Sequence, residues 1–292
     1  MIGLQKASCI VLWFVLKKVN VLCSALLCGA LLTACVSPDP FEIGHTQVYS
    51  AKKQQHLTFA QWIDALQSYD VLLIGEKHDD VRHHQAQLAL LQALHRHRAI
   101  RAVALEMLPS SKQAAFIQAQ RTAQEQLRRD PATDASVIKA GLEWPASWDW
   151  AQYRSLVMWM LREQIPMIGA NLDQTELAII AKGAQPLKGR VSTAPEVHEA
   201  LSQLVSGHHL ESDTPVQALV QAQQFKDRRM AESLVRNAKP VVLLAGNVHV
   251  NKKLGVPLHL QDYGQRKVVS IMLVSSFDGR DADQADYFWV IN

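Results

Sequence analysis

An α/β fold is what this 292-residue sequence predicts: a mainly parallel sheet, helices on both faces, and a helical lobe inserted before the fourth strand. Three observations predict it. Short apolar runs alternate with amphipathic stretches, the pattern of parallel strands joined by crossover helices. Two of those runs, Val71–Ile74 and Val241–Ala245, close in the same way, as Gly75-Glu76-Lys77-His78 and Gly246-Asn247-Val248-His249. The chain between the third and fourth runs is too long for one crossover, so it must fold as helices of its own.

The first 35 residues stand apart. Lys17 and Lys18 precede an uncharged apolar run that ends in Leu32-Thr33-Ala34-Cys35. The run has the length of a secretory h-region and is short for a membrane span. The ending resembles a bacterial lipobox, so residues 1–34 are expected to be a signal peptide and Cys35 the lipidated first residue. Val36 rather than Asp follows, which by the sorting rule of Gram-negative lipoproteins directs the chain to the outer membrane. Removing Lys6, Lys17 and Lys18 brings the 30 basic residues to 27, level with the 27 acidic ones. No net positive charge then remains to attract nucleic acid. Cys9, Cys23 and Cys28 leave too, so neither a disulfide nor a cysteine-based zinc site is open to the mature chain.

Residues 35–56 read as a polar linker carrying Pro38 and Pro40, and 57–292 as a single domain. Thr58 can cap a short helix through Leu66. Val71–Ile74 is the first strand, and Asp79 or Asp80 caps a helix to about His97. Arg101–Leu105 is the second strand, ending in Glu106, and Ser110 or Ser111 opens a helix to about Arg128. Asp130–Trp150 reads as irregular, because Pro145 interrupts it. Ala151–Gln164 is amphipathic and carries Tyr153. Pro166–Gly169 is the third strand. Asp173 or Thr175 opens the next helix, and Pro195–Leu204 and Pro215–Asn237 follow. Val241–Ala245, Val268–Val274 and Tyr287–Ile291 are the remaining strands.

A parallel sheet gathers the residues that follow its strands at one edge, where open α/β sheets bind ligands. Glu76, His78, Glu106, Asn171 and His249 are expected there. Two imidazoles with carboxylates can hold zinc or manganese, with His78, His249 and Glu76 as ligands, or can run acid–base chemistry unaided. The plainer alternative is that the imidazoles are buried, hydrogen-bonded residues at helix starts. Trp144, Trp148, Trp150 and Tyr153 could stack on a flat ligand, or could pin a loop to the core. Tyrosinate is one of the known axial ligands of haem iron.

Six stretches, in order, resemble one family: GEKHDDVRHHQAQLALLQAL, AVALEML, the W-D-W-x-x-Y segment at Trp148–Tyr153, IPMIGANL, QFKDRRMAESL and LLAGNVHVNKKLGVPLHL. They are similar to the ChaN-like haem-binding lipoproteins, over about Gln61 to Leu273. The resemblance implies an outer-membrane lipoprotein that binds haem for iron uptake. It implies a homodimer holding two haems face to face, each iron bound by one tyrosine, with His and Lys of the partner subunit on the propionates. On this reading Tyr153 is the first candidate ligand and Tyr263 the second, Trp150 is a stacking residue, and Lys77, His83 and His84 are candidate propionate contacts. The two Gly-x-x-His turns also resemble a wider superfamily that includes Tiki and TraB-type metalloproteases and erythromycin-esterase-like proteins. That resemblance implies a hydrolytic, metal-dependent site at Glu76, His78, Glu106 and His249.

Overall fold

The computed structural model describes residues 44, 46–208, 214–265 and 267–291. The expected signal peptide, Cys35 and its lipidation lie outside the described residues. Among those described, eight strands form one sheet in the order β2-β1-β8-β7-β3-β6-β4-β5. They are β1 Gln47–Ser50, β2 Gln55–Leu57, β3 Val71–Glu76, β4 Ala102–Pro109, β5 Met167–Asn171, β6 Val241–Gly246, β7 Val268–Val274 and β8 Tyr287–Val290. From β8 to β5 every neighbouring pair is parallel.

β1 and β2 correct the expected linker: residues 47–57 form an antiparallel hairpin whose first strand pairs with β8. Only Val48 and Tyr49 carried strand character in this polar stretch, and their pairing partner, Phe288-Trp289, lies at the far end of the chain. Such a pairing leaves no local trace.

The helices are α1 Phe59–Leu66, α2 Val81–His97, α3 Gln113–Arg129, α4 Ala135–Gly141, α5 Trp150–Arg162, α6 Gln174–Ala181, α7 Pro195–His208, α8 Val216–Val235, α9 Asn247–Val250 and α10 Val256–Asp262. Thr58 and Gln61 make a capping box on α1, Asp80 caps α2, and Asp173 with Glu176 makes a second box on α6. Each carboxylate or hydroxyl there satisfies backbone N–H groups that the helix leaves unpaired. The short helix α4, which buries Ile138, sits inside the stretch expected to be irregular.

Both faces of the sheet are covered, so its central strands are apolar throughout rather than alternating. Leu72 and Ile74 of β3 face a core with Trp62, Leu90, Tyr153 and Trp289. Val71 and Leu73 face the opposite core, with Met230 and Leu234 of α8 and Leu260 of α10. The expected helical insertion is α6 to α8, between β5 and β6. Helix α8 lies directly against β5, β4 and β6, and α7 packs outside it through Val197, Leu201 and Val205. This places the middle of α8 beside the carboxyl edge of the sheet.

Candidate functional site

β3 and β6 are neighbours, registered so that Glu76 faces Gly246, and β4 is the next strand. The two Gly-x-x-His turns and Glu106 therefore meet at one edge. Glu76 is buried, and Tyr153 Oη donates to its Oε1 at 2.6 Å. His78 Nδ1 lies 2.9 Å from the same oxygen, and His84 Nδ1 lies 3.2 Å from Oε2. His78 Nε2 is 3.8 Å from Glu106 Oε2, which also accepts the Gly246 N–H at 2.7 Å. Glu106 Oε1 is 3.2 Å from His249 Nε2, and His249 Nδ1 is 2.6 Å from Asp227 Oδ1. Imidazoles and carboxylates thus alternate along one chain: His84, Glu76, His78, Glu106, His249, Asp227.

Electrostatics follow from that alternation. Burial alone would raise Glu76, yet the hydrogen bonds from His78, His84 and Tyr153 bring its carboxyl down to about 2. Burial would likewise raise Glu106, but the charge and hydrogen bond of His249 hold it at about 2. Burial opposes a charged His249, but Glu106 and Asp227 on its two nitrogens raise it to about 10. His78 is burdened by desolvation and raised overall by Glu76 and Glu106. It is the open member of the chain, its side chain 42% exposed. A proton on Nδ1 donated to Glu76 leaves Nε2 turned toward Glu106 and Gly246.

Asp227 was not anticipated, nor was the pairing of His84 with Glu76. Asp227 sits mid-helix in α8, fully buried. The one signal was its place between Lys226 and two arginines, where an exposed salt bridge is the simpler reading. The Gln223 amide donates to Asp227 Oδ2 at 3.3 Å and completes its shell.

Several expected haem contacts are not available at the surface. Tyr153 is 1% exposed, its hydroxyl is committed to Glu76, and burial followed by the Glu76 charge raises its phenol. An axial ligand must reach iron and lose its proton, and Tyr153 is placed for neither. Trp150 is buried edge-on against Trp144, so it presents no face for stacking. His83 and His84 are buried on the inner side of α2. His83 Nδ1 accepts the Lys77 N–H at 2.9 Å, and His84 Nε2 lies 2.9 Å from Gln152 Oε1. Lys77 is exposed and paired with Asp79 at 3.1 Å. Tyr263, at the end of α10, is 38% exposed. The expected zinc or manganese centre finds no support: among the described residues no group of three or more His, Cys, Asp or Glu is arranged to hold a metal ion. The His78, His249 and Glu76 donors are turned toward one another's partners instead.

A cavity of about 700 Å³ opens over the carboxyl ends of β4 and β5. Glu106 and Trp148 line its inner side, and Trp148 meets His78 edge-on at 4.8 Å. Phe116, Leu142 and Leu172 form apolar wall, and Lys226 of α8 reaches it from the other flank.

The profile of the family described as "Haem-binding uptake, Tiki superfamily, ChaN" matches residues 62–260. The chain belongs to the ChaN family. A solved structure described as cofacial haem binding to ChaN of Campylobacter jejuni is 35% identical to it. The alignment covers 84% of this chain and 96% of that one, with a TM-score of 0.76. An erythromycin esterase variant in its open conformation is also similar, at 14% identity over 77% of this chain and 76% of that one. Its TM-score of 0.43 is too low to bear on this ChaN-family protein's function. No curated protein matches the chain.

Proposed function

We propose that this chain binds haem at its surface with Tyr263 as the axial ligand, as part of haem or iron uptake. The observation that carries the reading is exposure. Of the five tyrosines, Tyr263 alone is exposed; Tyr49 and Tyr69 are partly covered, and Tyr153 and Tyr287 are buried. The surroundings of Tyr263 hold a proton acceptor and a cation, and on balance they raise the phenol. Its hydroxyl donates to Glu232 Oε1 at 3.0 Å, which gives the leaving proton an acceptor. The Arg228 guanidinium lies 5.3 Å from the ring centroid and favours the negative form. Burial and the Glu232 hydrogen bond raise the phenol, and Arg228 offsets part of that rise. Bound haem would supply a ferric iron that takes an oxygen ligand.

Lys77 leaves the carboxyl end of β3, whereas the turn carrying Tyr263 leads to the amino end of β7, its parallel neighbour. Those ends are separated by about 20 Å of strand. In this reading a Lys77 contact to a propionate would come from a second copy, as the proposed homodimer requires. The lipobox at Leu32–Cys35 supports an outer-membrane anchor through lipid on Cys35. Ferric haem titration followed by absorbance tests the ligand. Tyr263→Phe is expected to lose the Soret shift and Tyr153→Phe to retain it; the reverse result would refute the assignment.

A second reading is favoured by one observation, the buried Glu76 that holds the half-open imidazole of His78 at the sheet edge. That pairing supports general-base hydrolysis at this edge. Its test is ester turnover by purified protein, lost in His78→Gln.

A further inference from the structure

Helix α8 grips Tyr263 at two points, and a polar shell fixes the grip. Arg228 and Glu232 are one turn apart, on the same face of the helix. The Arg228 guanidinium lies 5.3 Å from the centroid of the Tyr263 ring, and Glu232 accepts its hydroxyl. Three acceptors hold the guanidinium in turn. Its Nε–H donates to His259 Nδ1 at 3.0 Å, and Nη2 donates to Asp262 Oδ2 at 2.9 Å and to Ser192 Oγ at 3.1 Å. His259 and Asp262 belong to α10, the helix that ends at Tyr263. A ring that accepts at Nδ1 is neutral, so the buried His259 holds Arg228 without a second positive charge. Asp262 also takes the Ser192 hydroxyl at 2.6 Å and the Arg190 and Val191 N–H groups at 3.0 and 2.8 Å. The segment before α7 is thereby tied to the same carboxylate. It has no slack: a methyl group on Gly189 would lie 2.5 Å from both Asp262 Oδ2 and Ser192 Oγ.

We propose that Arg228 is a positioning residue for iron coordination by Tyr263, a fixed cation that orients the ring and steadies the negative charge of the phenolate in the haem complex. This rests on the Tyr263 reading and adds the residue that acts through it. Packing alone does not call for such a shell, because apolar side chains of similar volume would join a helix and a loop without taking charges out of water. A charge fixed in advance needs no reorganisation when an anion forms beside it. Lysine would supply the charge but not the planar fork that reaches His259, Asp262 and Ser192 at once. Asp262 offsets part of the guanidinium charge, so the expected effect on affinity is about tenfold and not larger.

The test titrates purified protein with two probes, ferric haem followed by absorbance and metal-free protoporphyrin IX followed by fluorescence. Only the first needs a ligand from Tyr263. Arg228→Gln is expected to bind ferric haem about tenfold more weakly and the metal-free porphyrin as tightly as wild type does. The charge-transfer band from tyrosinate to iron should move to longer wavelength, because a phenolate without its cation gives up an electron more readily. Arg228→Lys keeps the charge and should restore the band position and part of the affinity. Ser192→Ala removes one acceptor and leaves the charge; it should weaken ferric haem about threefold with the band in place. Folding is checked by circular dichroism, and if Arg228→Gln does not fold, unchanged haem affinity in Ser192→Ala overturns the proposal. Equal loss of both porphyrins in Arg228→Gln with the band unmoved would make the shell a brace for the loop and overturn it too, as would wild-type haem affinity. Tyr263→Phe separates the two readings. A band that persists there refutes the ligand assignment itself; a band lost there but unmoved in Arg228→Gln refutes the role of Arg228 alone.

Discussion

Raising the pH from 7 to 9 should lower the unfolding free energy of this protein by about 2 kcal/mol, and Asp227→Asn should roughly halve that loss. The cause is His249, buried between Glu106 and Asp227 and raised from 6.5 to about 10. A folded value above the unfolded one stabilises fully below pH 6.5, and the gain disappears as the pH rises through 10. At about 1.4 kcal/mol per pH unit the whole coupling is about 5 kcal/mol, of which ~4 remains at pH 7 and between ~1 and ~2 at pH 9. Glu106, held at about 2, has the opposite sign: its share is complete above pH 4.5 and is lost as the pH falls through 2. The two shares are not summed, because the attraction between His249 and Glu106 is one energy seen from both ends. His78 and His84 are also raised, so their shares have the same sign as that of His249. Asparagine at position 227 keeps an acceptor for His249 Nδ1 and removes one of the two charges. The assay is urea unfolding followed by tryptophan fluorescence at pH 7, 8 and 9. A wild-type protein equally stable at pH 7 and 9, or an Asp227→Asn variant with an unreduced slope, would refute a charged His249.

Three further outcomes follow from the same geometry. Gly246→Ala would put a methyl group 2.8 Å from His78 Nε2, at a backbone conformation any residue accepts. His78 is open and can swing aside, so stability should fall by less than about 1 kcal/mol, while the imidazole titration seen by NMR moves from its raised position toward 6.5. Tyr153→Phe removes a donor from a buried carboxylate and should cost about 1–3 kcal/mol in urea unfolding. Cys35→Ser, expressed with its leader, should move the chain from the membrane fraction to the soluble fraction of lysed cells.

Six of the eight strands were legible because each is a short apolar run, and periodicity reports burial directly. The gathering of Glu76, His78, Glu106 and His249 was legible for the same reason, since strand ends of a parallel sheet share an edge. Other features depended on distance in the chain. Tyr153 follows Gln152 and Tyr263 follows Asp262, so both have a polar neighbour before them. Nothing local says that α5 lies against the sheet with Tyr153 inward, or that α10 ends at solvent. His83 and His84, candidate propionate contacts in the first turn of α2, are both buried. Their burial comes from α5 closing over α2, a contact between segments that begin almost seventy residues apart. Asp227 was hidden by its basic neighbours, because charge patterning along a helix reports sign and not depth.

The two glycines show why the repeated turn is a single device. A methyl group on Gly75 would collide with the Asn247 and Val250 side chains, which belong to the second turn. A methyl group on Gly246 would meet the His78 ring, which belongs to the first. Each glycine is the room left for the other turn. β3 and β6 hold these positions in register, so neither imidazole is placed by its own strand alone. The Gly246 N–H fixes Glu106, Glu106 faces both His78 and His249, and the chain of charges closes only when the two turns interlock. An arrangement in which the fold's close-packing and the site's electrostatics depend on the same atoms would be costly to keep as structure alone. A satisfied apolar edge would be more stable than one carrying two imidazoles and three carboxylates out of water. The device therefore argues for chemistry at this edge, whatever role Tyr263 has at the surface.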